Sequence, residues 1–272
     1  PPPQEVTAKT ILFGVLHHSG VEPSAHQTIE AEQEHWSSFA QIAAEYLTIA
    51  AEAQRDRWLA ELSTSSLSSE QVDAVLASDS FGPLAAELRR AEASGCDIAT
   101  LLPKVVAQRT LHDADDIGAV LISRLRHTRS ESPHGTHGKA RLIAGLIPVA
   151  DGPMADEMRR ALTERRELLE ARAAALADRA AAHRAPWLRT LGSPPVDPHQ
   201  RTLWMQQVRV VAAYRDLYGI DCDSLVGPAG ASDRQRIHGA WARKAARRAA
   251  DIADNAPDRQ PSGLTTESRA LG

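Results

Sequence analysis

The stretch from Ala185 to Ile220, APWLRTLGSPPVDPHQRTLWMQQVRVVAAYRDLYGI, carries four of the chain's eleven aromatic residues, with basic residues threaded between them. Aromatics interleaved with arginines can form a platform on which nucleic-acid bases stack. The same pattern can be a helix hairpin pinned by tryptophans. Local chemistry favours the hairpin. Asp197 is a capping residue whose carboxylate can take an orphan backbone N–H, and Pro198 suits a first helical turn. Trp204, Val208, Val211 and Tyr218 fall on or near one helical side, and Gly219 is placed to end the helix. Trp187, ahead of the GSPPVDP turn, can fold back across the hairpin and bury a large apolar area.

Outward from this stretch, nearly every segment reads as helix. The hydrophobic share of 43% leans on alanine, which loses no side-chain entropy in a helix, and the companion Leu, Glu and Arg lose little. Ser24 and Gln27 make a capping box. Trp36, Phe39, Ala43, Tyr46 and Ala50 then recur at spacings of three and four, predicting a buried stripe on a helix that runs to about Leu62. After a serine-rich loop, Ser68 caps a short helix carrying Val72, Val75 and Leu76. DSFGPLAAELRRAEASG has Pro83 in a first turn, Leu84, Leu88 and Ala91 on one side, and Gly95 as its stop. Asp97 can cap the next segment, in which Pro103 predicts a kink or a turn before the helix proper. The HDADD cluster (Asp113 to Asp116) opens a helix bearing Ile117, Val120, Leu121 and Leu125, where carboxylates favour the positive end of the helix dipole.

Residues 128–140, TRSESPHGTHGKA, are polar and contain Gly and Pro without periodicity, the composition of a flexible linker. The apolar RLIAGLIPVADGP that follows is expected to pack, extended, against a neighbour. Pro153 to about Arg184 is the longest pattern, roughly 48 Å at 1.5 Å per residue. Met158, Leu162, Leu169 and Leu176 mark its buried side, and Arg160–Glu164 and Arg166–Glu170 are spaced as weak ion pairs. A last helix spans Ser232 to about Asp254 around Trp241. The predicted architecture is all-α: an acidic helical subdomain (1–127), a linker (128–140), a helical subdomain with the long helix and a basic last helix (141–254), and a disordered tail (255–272). Charge divides along the same line. Residues 1–127 hold 9 basic and 18 acidic side chains, and residues 128–272 hold 22 and 17.

Recognisable chemistry is sparse. GTHGKA (Gly135 to Ala140) fails as a phosphate loop, because Pro133 stands where the first glycine belongs and Ala140 where a Mg²⁺-binding hydroxyl belongs. His127, His134 and His137 have no Cys or carboxylate to complete a metal site. His17 and His18, being adjacent, point to different sides of a helix. There is no nucleophile elbow, no HExxH and no paired carboxylate frame. No cofactor, metal or catalytic residue is assigned, and a binding module is expected in place of an enzyme. Cys96 and Cys222 read as two free thiols, which fits a cytoplasmic setting. No apolar run reaches the ~20 residues that span a bilayer. The one suggestive site is in the last helix, where Arg236, Arg243, Lys244, Arg247 and Arg248 lie on adjoining turns and could neutralise nucleic-acid phosphates.

Several blocks in order, among them GVEPSAHQTIEAEQEHW, SFGPLAAELRRAEASGCDIATLLPKVVAQRTLHDADDIGAVL, RLIAGLIP, RRALTERRELLEARAAALADRA and VAAYRDLYGI, resemble the C-terminal region of actinobacterial conjugative relaxase–helicases. These are TraA-like members of the MobF, or TrwC-like, class. The resemblance covers roughly residues 10–253. Members of that class nick plasmid DNA through a tyrosine with a histidine-held metal and unwind it with a Walker-type helicase domain. Neither the histidine triad nor a Walker motif occurs here, so neither role transfers to any residue of this chain. The resemblance implies the helical tail of such an enzyme, recruiting conjugation proteins such as the type IV secretion coupling protein. Accessory contact with plasmid DNA is the alternative.

Overall fold

A computed structural model describes residues 38–131, 140–228 and 230–255, and the fold among them is helical. The described residues form nine α-helices: α1 (Phe39–Ala53), α2 (Arg55–Thr64), α3 (Ser69–Ala77), α4 (Phe81–Ala93), α5 (Ile98–Ala107), α6 (Ile117–Glu131), α7 (Asp156–Ala182), α8 (Pro198–Leu217) and α9 (Asp233–Asp254). A 3₁₀ helix covers Pro186–Leu191. The only strands among these residues, β1 (Leu142–Ile143) and β2 (Ile147–Pro148), pair antiparallel, Leu142 opposite Pro148 and Ile143 opposite Ile147. The Ser24–Gln27 box, Trp36, His17, His18, His134, His137, the GTHGKA glycines and residues 256–272 lie outside the described residues.

The caps explain most of the helix starts. Ser38, Ser68, Asp197 and Ser232 each accept the backbone N–H three residues on, and Gln71 completes a capping box with Ser68. Asp97 stands at the N-cap of α5 without taking that bond and accepts the Thr100 hydroxyl at 2.5 Å. Pro103 sits inside α5 without ending it. No turn precedes the helix proper: α5 runs on through Pro103, with Ile98, Leu102, Val105 and Val106 burying one face. Asp116 accepts the Ser80 hydroxyl and the Ala119 N–H at 3.0 Å, so it caps α6 and ties it to the start of α4.

The long pattern after Pro153 becomes α7, 27 residues or about 40 Å. Its buried face is Leu162, Leu169, Ala173 and Ala177, with Met158 and Leu176 only half-buried. Neither expected i,i+4 pair forms. Glu170 instead accepts the backbone N–H of Ala144 at 2.8 Å, and the neighbouring Arg165 reaches across to Glu45 at 2.7 Å. The apolar stretch 141–150 does pack against neighbours, as a tight two-strand turn with Ile143, Leu146 and Ile147 buried.

Two apolar cores result, and they divide the chain differently from its charge. The smaller is built from Trp58 to Leu125. The larger gathers α7, the 3₁₀ helix, α8, α9 and the β turn, and it also takes Phe39, Ile42, Tyr46 and Ala50 of α1. Asp216 on α8 fastens that helix, accepting the Phe39 N–H at 2.7 Å and Arg172 of α7 at 3.1 Å. The helix expected to continue to Leu62 breaks at fully buried Gln54, where the chain leaves one core for the other.

Candidate functional site

The hairpin reading of the aromatic stretch sets the frame for both sites on this molecule. Trp204 is buried and donates its Nε1–H to the Leu191 carbonyl at 2.9 Å; Trp187 is buried beneath the Arg215 guanidinium, 5.3 Å from its ring centroid. Aromatics committed to the core offer no stacking platform. Arg215 holds the loop beyond α8, donating through Nη1 to the Ser224 and Leu225 carbonyls and through Nη2 to those of Ile220 and Cys222.

Against α8 lies α9, whose buried face is almost all alanine: Ala242, Ala245, Ala246 and Ala249 with Gly239 and His238. Small residues there leave the long cationic side chains for the opposite face. Arg243, Lys244, Arg247 and Arg248 are all exposed, and none forms an ion pair among the described residues. Arg236 is also exposed but bound to Asp233 in the first turn of α9, and Asp233 in turn meets Arg126 of α6 at 3.1 Å. The structure thus brings four of the five sequence-predicted cations together and holds Arg236 in a local network. His127, the described member of the linker histidines, is exposed on α6, with its Nδ1 3.0 Å from the Ser123 carbonyl oxygen.

The second site was not foreseen from the sequence. Where α1, α4, β2, α8 and α9 meet, a cavity of about 150 Å³ opens between the two cores. Alkyl groups of Ala40, Ala44, Leu47, Ile147 and Leu217 line much of it, and Arg89, Arg90, Arg234, Tyr218 and His238 complete the wall. Arg89 is 2% exposed. Its Nε donates to Gln54 Oε1 at 2.7 Å, its Nη2 is buried without a hydrogen bond, and no carboxylate pairs with it among the described residues. Removal of an unpaired guanidinium from water costs on the order of several kcal/mol, and burial pulls its pKa down to about 10. Arg90, by contrast, pairs with Glu87 at 2.5 Å.

On the α8–α9 side, the Tyr218 hydroxyl lies 2.8 Å from His238 Nδ1, and the imidazole stacks on Trp241 at 5.3 Å and 25°. Burial, followed by the positive charges of Arg90 and Arg234, pushes His238 down to about 3; burial pushes Tyr218 up to about 12. At neutral pH the pair is therefore an uncharged phenol donating to a neutral imidazole. Among the described residues no group of three or more His, Cys, Asp or Glu is placed to hold a metal ion. Cys96 and Cys222 are free thiols. No helix among the described residues is long and apolar enough to cross a membrane.

One sequence signal for Arg89 existed. It falls in the row Ala85–Arg89–Ala93, whose spacing puts the three residues on one side of α4, and Ala85 and Ala93 are buried. Comparison with protein-family models, curated proteins and solved structures finds no match for the chain.

Proposed function

We propose that this chain is a non-catalytic helical module of a conjugative relaxase–helicase that contacts plasmid DNA phosphates through α9. The module assignment rests on the collinear resemblance of residues 10–253. The DNA contact rests on one observation: Arg243, Lys244, Arg247 and Arg248 share the solvent face of α9 with no ion pair among the described residues. Unpaired surface cations on successive turns are free to contact backbone phosphates, and such contacts read no sequence. Salt dependence is the test. Four phosphate contacts give a log–log salt slope of about −3.6 on duplex and about −2.8 on single strands. The double variant Arg243→Glu, Arg247→Glu flattens that slope by about 2; affinity and slope unchanged in the variant would exclude α9 as the surface.

Recruitment of a conjugation protein, the coupling protein foremost, is the second reading. It is favoured by the exposed carboxylates of the smaller-core region, including Glu70, Asp73, Asp97, Asp113 and Asp115, which repel DNA and suit a basic protein face. Capture of the purified coupling protein by the chain, lost in Asp113→Lys with Asp115→Lys, supports it. Failure to capture, alongside a full-length relaxase that does, excludes it.

A further inference from the structure

We propose that the cavity between the two cores is a binding site for a small organic anion, a carboxylate with a short aliphatic body. Its charge is met by Arg89 and Arg234, and its body lies along the alkyl wall. Three features of the cavity converge on this ligand.

The first is charge. Three guanidinium groups border the cavity and one carboxylate, Glu87, answers only Arg90 among them. Arg89 is a nearly fully buried cation with spare donors, and Arg234 is exposed with no ion pair among the described residues. A planar fork with free N–H groups matches a carboxylate better than any neutral ligand. The second is the wall. Ala40, Ala44, Leu47, Ile147 and Leu217 present alkyl surface that offers a hydrated inorganic anion no hydrogen bond, whereas a short hydrocarbon body gains from burial there. The third is size. A cavity of about 150 Å³ accommodates a ligand of benzene's dimensions, so a four-carbon acid fits and a nucleotide does not. The site is separate from the α9 phosphate face and independent of the DNA reading.

Butyrate is the probe, with butyramide as its uncharged equal in shape and inorganic phosphate and chloride as anion controls at matched ionic strength. The full chain is titrated by NMR, following the His238 ring. Butyrate is expected to saturate and to shift the His238 ring resonances at neutral pH, where it carries its charge; butyramide and chloride are expected to do neither. Arg89→Met abolishes the response. Arg234→Gln, at an exposed position that does not threaten folding, weakens it about tenfold through loss of one charge-assisted contact. Arg243→Glu with Arg247→Glu leaves it unchanged, which separates this site from α9. Equal responses to butyrate and butyramide, saturation by phosphate alone, or a butyrate affinity untouched by Arg234→Gln would each overturn the proposal.

Discussion

The Tyr218 hydroxyl lies 2.8 Å from His238 Nδ1, in a wall where burial, and then the positive charges of Arg90 and Arg234, keep that histidine uncharged. Protonation would cost the ring its acceptor and set a third positive charge beside the two guanidinium groups. The unfolded chain feels no such penalty and takes up the proton near the ordinary value of 6.5. Stability contributed by neutral His238 is therefore complete above pH 6.5 and lost as pH falls toward about 3.

Acid sensitivity is accordingly expected to begin well above the carboxylate range. Asp116 and Asp151, whose folded values lie below 3.8, weaken the fold only at lower pH. Between pH 6.5 and about 4 the loss should approach about 1.4 kcal/mol per pH unit, with His238 its main source. Urea unfolding of the wild type and of His238→Gln across that window checks this. Parallel curves for the two proteins would contradict it.

Gln54 and Arg89 should behave as a coupled pair. Gln54 accepts Arg89 Nε at 2.7 Å and donates to the Asp151 carbonyl at 2.7 Å, so Gln54→Ala strips the buried guanidinium of its acceptor. A cost of about 2–4 kcal/mol is expected for that single change. Once Arg89→Met has removed the charge, the same change should cost at least about 1 kcal/mol less. A double-mutant cycle by chemical denaturation measures the difference, and additive effects would show the two side chains to be independent.

Arg215→Lys keeps the charge and discards the fork. A single ammonium cannot serve the carbonyls of Ile220, Cys222, Ser224 and Leu225 together or lie flat over Trp187. Loss of about 1–3 kcal/mol is expected, with amide exchange rising in the loop at 220–226 before it rises in α7. Exchange that accelerates uniformly along the chain would argue against a local clamp.

The turn between β1 and β2 admits no side chain at Gly145. Its φ is +72°, and a Cβ there would stand 2.6 Å from Val210 Cγ2 on α8. Gly145→Ala should destabilise by about 2 kcal/mol or more from overpacking and left-handed strain together. Val210→Ala in that background should recover the steric part and leave the strain. No recovery would mean that backbone conformation alone accounts for the cost.

Local chemistry made most of the helices legible. Ser68, Asp197, Pro198 and Gly219 act within a turn or two of their own positions, so their effects can be read without knowing what lies across the fold. The break at Gln54 and the unbroken passage of α5 through Pro103 were not legible, for the opposite reason. Whether a proline tolerates a helix interior, or a helix breaks at a glutamine, depends on which apolar face must reach which core. The α9 cations were legible because a buried face made mostly of alanine forces charge outward. The Arg89 cavity was not, since its wall comes from five elements that are distant in sequence. Only the alanines flanking Arg89 hinted at burial, and nothing local said what Arg234 or Tyr218 would face.

The placement of α1 has a consequence for anyone who cuts this chain. Phe39, Ile42 and Tyr46 lie ahead of the smaller core in sequence yet are packed into the larger one, and Tyr46 accepts the Ala150 N–H at 2.7 Å through its hydroxyl. A fragment beginning at residue 140 would lack that helix and expose the groove that it fills on α7 and α8. Severing the backbone between 131 and 140 should instead leave two pieces clasped as one particle, the first carrying part of the second's interior. Complementation between separately expressed halves, and not a stable solitary half, is the natural behaviour of such an interleaved chain.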